Sequence, residues 1–137
     1  MIQTLRQESL FIRGRWTAPA VDRSIEVINP ATDEAMAEIG YGSAADATAA
    51  VDAAADAFPA WSRLPARQRS DLLVRVWALL MERAEEIGLL LARESGKRFP
   101  EAVGEVRFAA EYFRWFAEQA RRPLGRSRRR SRPTGAT

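Results

Sequence analysis

The chain has 137 residues, of which 47% are hydrophobic, and a formal net charge of +3 from 21 basic and 18 acidic groups. This apolar content is enough for the core of one domain and excludes a wholly disordered chain. The sequence contains no cysteine and no histidine. Disulfides, thiolate nucleophiles, a histidine general base and zinc sites of the usual kind are therefore excluded.

The beginning of the chain has no pattern of a membrane or export segment. The stretch MIQTLRQESLFIRG carries charges along its length and lacks the apolar run of a secretory signal peptide. No stretch approaches the roughly 20 consecutive apolar residues of a membrane-spanning helix. The expected location is the cytoplasm.

Residues about 10–40 have the pattern of short strands. LFIRGRW places Gly14 between two small apolar groups, as in a tight hairpin. In SIEVINPATDEAMAEI, apolar residues alternate on both sides of a turn that begins at Asn29 and Pro30. We predict a β ribbon here, with Asn29 as a turn residue rather than a catalytic one.

Three helices are predicted after the ribbon, the first over residues about 43–58. Ser43 and Asp46 have the spacing of a capping box, and small apolar residues then recur at helical intervals. Pro59 is expected to end this helix. Its apolar stripe is mostly alanine, so it is expected to pack close to a flat surface.

The second predicted helix covers residues about 65–95. Pro65 suits its first turn, leucines follow at three- and four-residue steps, and Gly96 suits the position just past its end. Gly88, inside this helix, is expected to cost about 1 kcal/mol relative to alanine.

The third predicted helix, residues about 100–122, has apolar side chains on more than one side. Pro100 suits its first turn, and its acidic start and basic end suit the helix dipole. The predicted core stripe consists of Val103, Val106, Ala110, Phe113 and Ala117. The predicted solvated face consists of Arg107, Glu111, Arg114 and Glu118. Further aromatic residues lie mostly outside the core stripe: Phe108, Tyr112, Trp115 and Phe116. Such wide apolar coverage needs partners on several sides, so the chain is expected to lack part of its own core.

No motif in the chain marks an active site. GLLLARESGKR differs from a phosphate-binding loop because Gly88 is misplaced, Arg98 follows Lys97, and the segment follows a helix rather than a strand. No GxGxxG occurs, and the acidic residues have the spacing of helix-surface charges. Four tryptophans are interpreted as packing residues: Trp16, Trp61, Trp77 and Trp115. We assign no catalytic, cofactor-binding or metal-binding residue.

The order of several segments resembles the amino-terminal region of the aldehyde dehydrogenase superfamily. VINPATDE is followed by DATAAVDAAADAFPAWS, ARQRSDLL, ESGK and EAVGEVRFAAEYFRWFAEQARR, and together they run from about Leu10 to Arg122. The last segment is most similar to the succinate-semialdehyde dehydrogenase branch. On this resemblance, residues 1–122 are part of the nucleotide-binding region of an α/β enzyme. This chain alone is expected to be mainly α with a short amino-terminal β ribbon.

The resemblance implies chemistry that needs residues not present in this chain. Members of the superfamily are homo-oligomers that oxidise aldehydes to carboxylic acids with NAD or NADP. A cysteine thiolate attacks the aldehyde, an asparagine amide stabilises the oxyanion, and a glutamate activates the water that hydrolyses the thioester. We therefore expect that this chain binds no cofactor and is inactive by itself. Its aromatic helix is expected to bind the missing domain or to self-associate.

The final residues, 123–137, do not continue the resemblance. Seven arginines lie between Arg121 and Arg132, which leaves 14 basic against 18 acidic groups in residues 1–120. The expected explanation of this segment is a reading-frame slip in a GC-rich gene, or an equivalent truncation, because alanine codons read one base later become arginine codons. The alternatives are a disordered arm that binds nucleic acid without specificity, or a small helical regulator that docks onto a full-length dehydrogenase.

Overall fold

A computed structural model describes residues 10–122 of the chain. Its strands are β1 (Leu10–Ile12), β2 (Arg15–Thr17), β3 (Ser24–Asn29) and β4 (Glu34–Gly40). Its helices are α1 (Ala44–Arg63), α2 (Ala66–Glu82), α3 (Ala84–Ser95) and α4 (Phe99–Ala120). The prediction of a mainly α chain with a short amino-terminal β ribbon is confirmed. The prediction of three helices is wrong by one, since this part of the chain has four.

The first hairpin turns at Arg13 and Gly14. Both residues have positive φ angles, 55° and 75°, which is the backbone of a type I′ turn between two strands. The two-residue loop sets the register, with Phe11 opposite Trp16. Their ring centroids are 5.2 Å apart in an edge-on contact. The predicted hairpin at Gly14 is confirmed.

The second hairpin turns at Asn29. β3 and β4 pair antiparallel, with Ile25 opposite Ile39. Asn29 Oδ1 accepts a hydrogen bond from the Ala31 amide at 2.9 Å, and the Asn29 carbonyl accepts one from the Asp33 amide at 2.8 Å. The side chain of Asn29 is therefore used within the turn, as predicted.

The predicted capping box starts α1. Ser43 Oγ accepts a hydrogen bond from the Asp46 amide at 3.3 Å, and the Asp46 carboxylate accepts one from the Ser43 amide at 2.9 Å. The same carboxylate accepts from the Ala20 amide at 3.1 Å. Asp46 therefore connects the segment between the two hairpins to the start of α1.

The prediction that Pro59 ends the first helix is wrong. Pro59 lies inside α1, which continues to Arg63. Leu64 has φ −58° and ψ 138°, the extended conformation that a following proline imposes on the residue before it. Pro65 therefore ends α1, and it stands just before the first residue of α2 rather than in its first turn.

The single helix predicted over residues 65–95 is two helices that meet at Arg83. Arg83 has φ −98° and ψ 15°, and its guanidinium binds the Glu86 carboxylate through two contacts of 2.7 and 2.8 Å. The apolar residues keep helical spacing on both sides of the break, so their periodicity does not show it. The acidic pair Glu85 and Glu86 was the available signal, because acidic residues favour the first turn of a helix.

The core is a thin seam of small side chains between α4 and its two neighbours, α2 and α3. Its buried apolar residues are Ala84, Ala102, Val103, Val106, Ala110 and Ala117. Ile87 and Leu91 pack against the part of this seam that includes Val103. Phe113, which was predicted in the core stripe, is 37% exposed, so the prediction is wrong for this residue although Ala110 and Ala117 on either side of it are buried.

Two glycines allow close contacts between elements. A Cβ atom at Gly88 would lie 2.7 Å from Val103 Cγ2 and 3.0 Å from Val103 Cα, so α3 passes α4 without room for a side chain. Gly96 has φ 70° and follows the end of α3, as predicted. A Cβ atom there would lie 2.9 Å from Pro30 Cγ, so the second hairpin turn touches the end of α3.

Candidate functional site

α4 carries large aromatic side chains on the side that faces away from the core. With 3.6 residues per turn, Phe108, Tyr112 and Trp115 lie opposite the buried valines, and Phe116 lies beside them. The exposed fractions of these four residues are between 56% and 66%. We call Phe108, Tyr112, Trp115 and Phe116 the aromatic face. The predicted aromatic surplus of this helix is therefore found on its uncovered side.

The aromatic face borders an open hollow of about 600 Å³. The rings of Phe108 and Tyr112 meet edge to face, with centroids 5.6 Å apart and an interplanar angle of 89°. The rim of the hollow includes Glu111, Arg114 and Glu118. Aromatic side chains at the centre and charged groups at the edge are typical of a surface that binds another protein segment.

The side of α4 next to the aromatic face is tied to α2. Trp77 Nε1 donates a hydrogen bond to Glu111 Oε1 at 3.0 Å, and the Arg114 guanidinium lies 5.3 Å from the centre of the Trp77 ring. Arg114 Nε also lies 3.4 Å from Glu118 Oε1. These contacts fix the rotation of α4 about its own axis, so the aromatic face stays turned away from α2.

Arg121 closes the contact between α2 and α4. Its Nε donates a hydrogen bond to Ser70 Oγ at 2.8 Å, and its guanidinium also pairs with Asp71. Ser70 is 1% exposed, so Arg121 satisfies a hydroxyl that water does not reach. Counting Arg121 with the arginine-rich tail missed this role, because the spacing of arginines alone does not show which of them folds back.

α1 has a second uncovered apolar stripe, formed by Val51, Phe58 and Trp61. No residue of α1 is buried. Its side-chain contacts include an ion pair between Arg13 and Asp56 at 2.8 Å. The flat surface expected against α1 is therefore not supplied by residues 10–122.

Three of the four tryptophans do not pack in a core formed by the described residues. Trp16, Trp61 and Trp115 are exposed, and Trp77 is half-buried. Each exposed tryptophan belongs to an element with little or no cover: the first hairpin, α1 and the aromatic face. Their interpretation as packing residues therefore needs a partner surface outside residues 10–122.

The shifted carboxyl groups belong to helix starts rather than to a reaction centre. Hydrogen bonds from the amide and hydroxyl of Ser43, and from the amide of Ala20, lower the pKa of Asp46. A hydrogen bond from Arg83 lowers the pKa of Glu86. Both groups favour their ionised form in the fold, as acceptors at a helix N-terminus do.

Gly88 and Gly96, two glycines within residues 10–122, pack closely against Val103 and Pro30. The expectation that this chain binds no cofactor stays a prediction. Within the same residues, no group of three or more potential metal ligands lies together.

No helix in residues 10–122 is long and apolar enough to cross a bilayer. Residues 123–137, for which non-specific binding of nucleic acid was an alternative, lie outside the described residues.

The comparisons with known proteins agree on one family. The Aldehyde dehydrogenase family matches residues 16–136. This range includes most of residues 123–137, whose departure from the family stays a prediction. Glutarate-semialdehyde dehydrogenase of Pseudomonas putida is 37% identical over 123 residues, which cover 90% of this chain and 25% of that protein. Succinate-semialdehyde dehydrogenase GabD of Escherichia coli is 37% identical over 120 residues, which cover 88% of this chain and 25% of that protein.

The solved structures give the same result for the fold. Lactaldehyde dehydrogenase from Escherichia coli superposes with a TM-score of 0.84 and is 40% identical, over 93% of this chain and 27% of that one. Aldehyde dehydrogenase C from Pseudomonas syringae superposes with a TM-score of 0.82 and is 35% identical, over 88% and 25%. The chain therefore spans about a quarter of the length of the relatives that it matches.

Proposed function

Since the chain belongs to the aldehyde dehydrogenase family, we propose that it is the amino-terminal supporting part of a cytoplasmic, NAD(P)-dependent aldehyde dehydrogenase. The whole enzyme oxidises an aldehyde to a carboxylic acid and is a homo-oligomer. In this proposal residues 10–122 do no chemistry. They form a helical layer whose uncovered surfaces bind the part of the enzyme that carries the cofactor and the catalytic groups.

The aromatic face is the observation that carries this proposal. Four large side chains stand exposed on the side of α4 opposite its buried seam. An apolar surface of this kind is unusual on a self-sufficient domain and marks a place where another segment binds. The rest of the dehydrogenase is the partner that family membership supplies, and the uncovered stripe of α1 supports the same interpretation.

We propose a short semialdehyde as the substrate, with succinate semialdehyde as the first candidate. The support is that similar proteins are named succinate-, glutarate- and aspartate-semialdehyde dehydrogenases. For the cofactor, the name of the Escherichia coli relative specifies NADP(+), and the Pseudomonas syringae structure is described as a complex with NAD+. These two names support NAD or NADP as the cofactor of the whole enzyme and do not favour one over the other.

A chimera tests the proposed supporting role. Residues 10–122 replace the matching residues of Escherichia coli lactaldehyde dehydrogenase, which is 40% identical over 93% of this chain. We expect the chimera to assemble and to oxidise lactaldehyde, because the transplanted layer offers the same fold to the rest of the enzyme. The measurements are the initial rate of NADH or NADPH formation and the mass of the assembled protein.

Two variants of the chimera test the aromatic face itself. Tyr112→Asp puts a charge at the centre of the face, and we expect the yield of assembled, active enzyme to fall by about tenfold or more, because an unpaired charge would be buried against the partner. Arg107→Asp changes an exposed residue of the same helix outside the face and is expected to leave the yield nearly unchanged. Equal yields from the two variants would contradict the proposal.

A further inference from the structure

We infer that Gly104 is the point at which α4 comes closest to the rest of the enzyme, where an apolar segment crosses the helix with its main chain against the backbone of α4. This assignment rests on the proposed function, because the segment belongs to the part of the enzyme that carries the cofactor and the catalytic groups. The occupant is therefore the one already proposed for the aromatic face, and Gly104 adds to it a point of contact and a geometry.

Gly104 has no local reason to be a glycine. It lies in the second turn of α4, far from the end of the helix at Ala120, so it is not a cap. Within residues 10–122 the glycines with a positive φ angle are Gly14 and Gly96, so Gly104 has an ordinary helical backbone. Glycine at such a position costs stability relative to alanine. Alanine would therefore favour α4 unless another part of the enzyme fills the place of its side chain.

The space beside Gly104 is open in the described part of the chain. Gly104 is exposed, and a Cβ atom built on it would meet nothing within 4 Å apart from the neighbouring backbone of α4. Gly88 is the opposite case, since a Cβ atom there would lie 3.0 Å from both Cα and N of Val103. At Gly88 an interior helical glycine thus marks the place where another backbone passes. We assign the same role to Gly104, with the passing backbone supplied from outside residues 10–122.

Gly104 lies on the same side of α4 as the aromatic face. Phe108 follows it by four residues and Trp115 by eleven. At 3.6 residues per turn these two side chains lie about 40° and about 20° from Gly104 around the helix axis. The distance along the axis from Gly104 to Trp115 is about 17 Å, or about three turns. Over this length the outward side of α4 changes from backbone without a side chain to projecting rings.

This change in height determines how the partner segment can lie. A segment parallel to α4 would rest on the exposed rings of Phe108 and Tyr112 and would be held away from Gly104. A segment that crosses at an angle reaches the backbone at Gly104 and packs its side chains against the rings beside it. Packed helices commonly cross at such angles. The shape of the surface therefore favours an oblique crossing with its closest approach at Gly104.

The crossing segment is apolar because no charge beside Gly104 is left for it to neutralise. Glu101 and Glu105 flank the glycine on the outward side. Glu101 is paired with Arg98. Glu105 is paired with Lys97. The chain spans about a quarter of the length of its relatives, so the rest of the enzyme is long enough to supply the segment.

The chimera of residues 10–122 with Escherichia coli lactaldehyde dehydrogenase tests the contact. Gly104→Ala is expected to lower the yield of assembled, active enzyme by about fivefold or more, and Gly104→Leu to lower it further, because the added side chain overlaps the crossing segment. Arg107→Leu puts the same side chain on the same helix outside the aromatic face and is expected to leave the yield nearly unchanged. Equal yields from Gly104→Leu and Arg107→Leu overturn the inference, while an active unmodified chimera would still support the proposed function.

The stability of the 137-residue chain separates a contact with the partner from a defect within α4. In this chain Gly104→Ala is expected to raise the urea midpoint, since alanine favours the helix and the space beside it is open. Gly88→Ala is the matched control and is expected to lower both the midpoint and the yield of the chimera, because its methyl meets Val103 in either protein. A lowered midpoint for Gly104→Ala, or a Gly104→Ala chimera with full yield, overturns the inference. An unmodified chimera that does not assemble contradicts the proposed function, and the inference with it.

Discussion

Gly88 positions α3 against α4 because it has no side chain. The sequence predicts only its usual cost of about 1 kcal/mol relative to alanine in a helix. The structure shows that a methyl group there would lie 2.7 Å from Val103 Cγ2. A contact this short requires one helix to move, so packing outweighs helix propensity at this position.

Two alanine substitutions test this balance in the full chain. Gly88→Ala is expected to lower the free energy of unfolding by about 1–3 kcal/mol, because the added methyl overpacks the seam. Gly104→Ala, on the exposed side of α4 where nothing lies within 4 Å, is expected to raise it by up to about 1 kcal/mol. Urea titration followed by circular dichroism measures both. The same sign for the two variants would contradict the packing argument.

Ser43 contributes to stability through the amide that it caps. Ser43→Ala removes the acceptor for the Asp46 amide at the start of α1 and is expected to lower the free energy of unfolding by about 1 kcal/mol. Thr48→Ala is the control, since Thr48 bonds only to the Ala44 carbonyl of its own helix. A loss no larger than that of the control in urea titration would show that the cap is not formed.

Asp46 gives the stability of the chain an acid dependence. Its pKa is lower in the fold because Ser43 and Ala20 donate hydrogen bonds to its carboxylate. A group with a lowered folded pKa stabilises the fold above its unfolded pKa, and this contribution is lost as the pH falls through the folded pKa. Asp46→Asn is therefore expected to reduce the loss of stability between about pH 5 and pH 2. Urea midpoints at both ends of that range measure the change, and part of the dependence is expected to remain through Glu86.

At the scale of helices and strands, local chemistry predicted most of the elements. The turn at Gly14, the turn at Asn29, the cap at Ser43 and the glycine past the end of α3 each follow from short-range backbone preferences. The break at Arg83 does not, because the apolar period continues through it. Its position depends on how α3 must turn to pass α4, and that contact involves residues distant along the chain.

Pro59 lies inside α1, although proline disfavours the interior of a helix. A proline inside a helix lacks the amide that would bind the carbonyl four residues earlier, here that of Ala55. Pro59→Ala is therefore expected to stabilise α1, by at most about 3 kcal/mol. Pro100→Ala, in the first turn of α4 where no amide partner is needed, is expected to change little. Urea titration and helix content by circular dichroism compare the two, and a destabilised Pro59→Ala variant would show that α1 needs its proline.

At the scale of the whole molecule, the sequence predicted both that α4 has an excess of apolar surface and that its extra aromatic residues lie mostly outside the core stripe. The number of aromatic residues in α4 exceeds what one packed side can hold, and this was visible in the spacing. The buried side of α4 carries small residues that pack against α2 and α3. The contacts of Trp77 with Glu111 and Arg114 hold α4 in this rotation. The exposure of Phe113 and the contacts of Trp77 were not predicted, because they depend on how the assembled helices meet.

The purified chain is expected to give no aldehyde-dependent formation of NADH or NADPH. The reaction of its family uses a cysteine thiolate, and the sequence contains no cysteine. The measurement is absorbance at the nicotinamide band with succinate semialdehyde and each cofactor. Turnover that follows the protein through successive purification steps would contradict the proposal that this part does no chemistry.

The uncovered stripe of α1 predicts a physical signature of the chain in solution. Val51, Phe58 and Trp61 are exposed on α1, so a hydrophobic dye is expected to bind the purified chain. Thermal unfolding is expected to be broad, since the seam of alanine and valine buries little apolar area. A sharp melting transition without dye binding would show that the stripe is covered.

The contact between Gly96 and Pro30 has a consequence for how this part of the family can diverge. The two residues lie in NPAT and ESGK, two of the segments that first suggested the family, and the structure places them against each other. A side chain at position 96 would collide with Pro30 unless Pro30 moved or was replaced. Substitutions at the two positions are therefore expected to arise as pairs in related proteins. The two sequence segments would then change together, because this one contact joins the second hairpin turn to the end of α3.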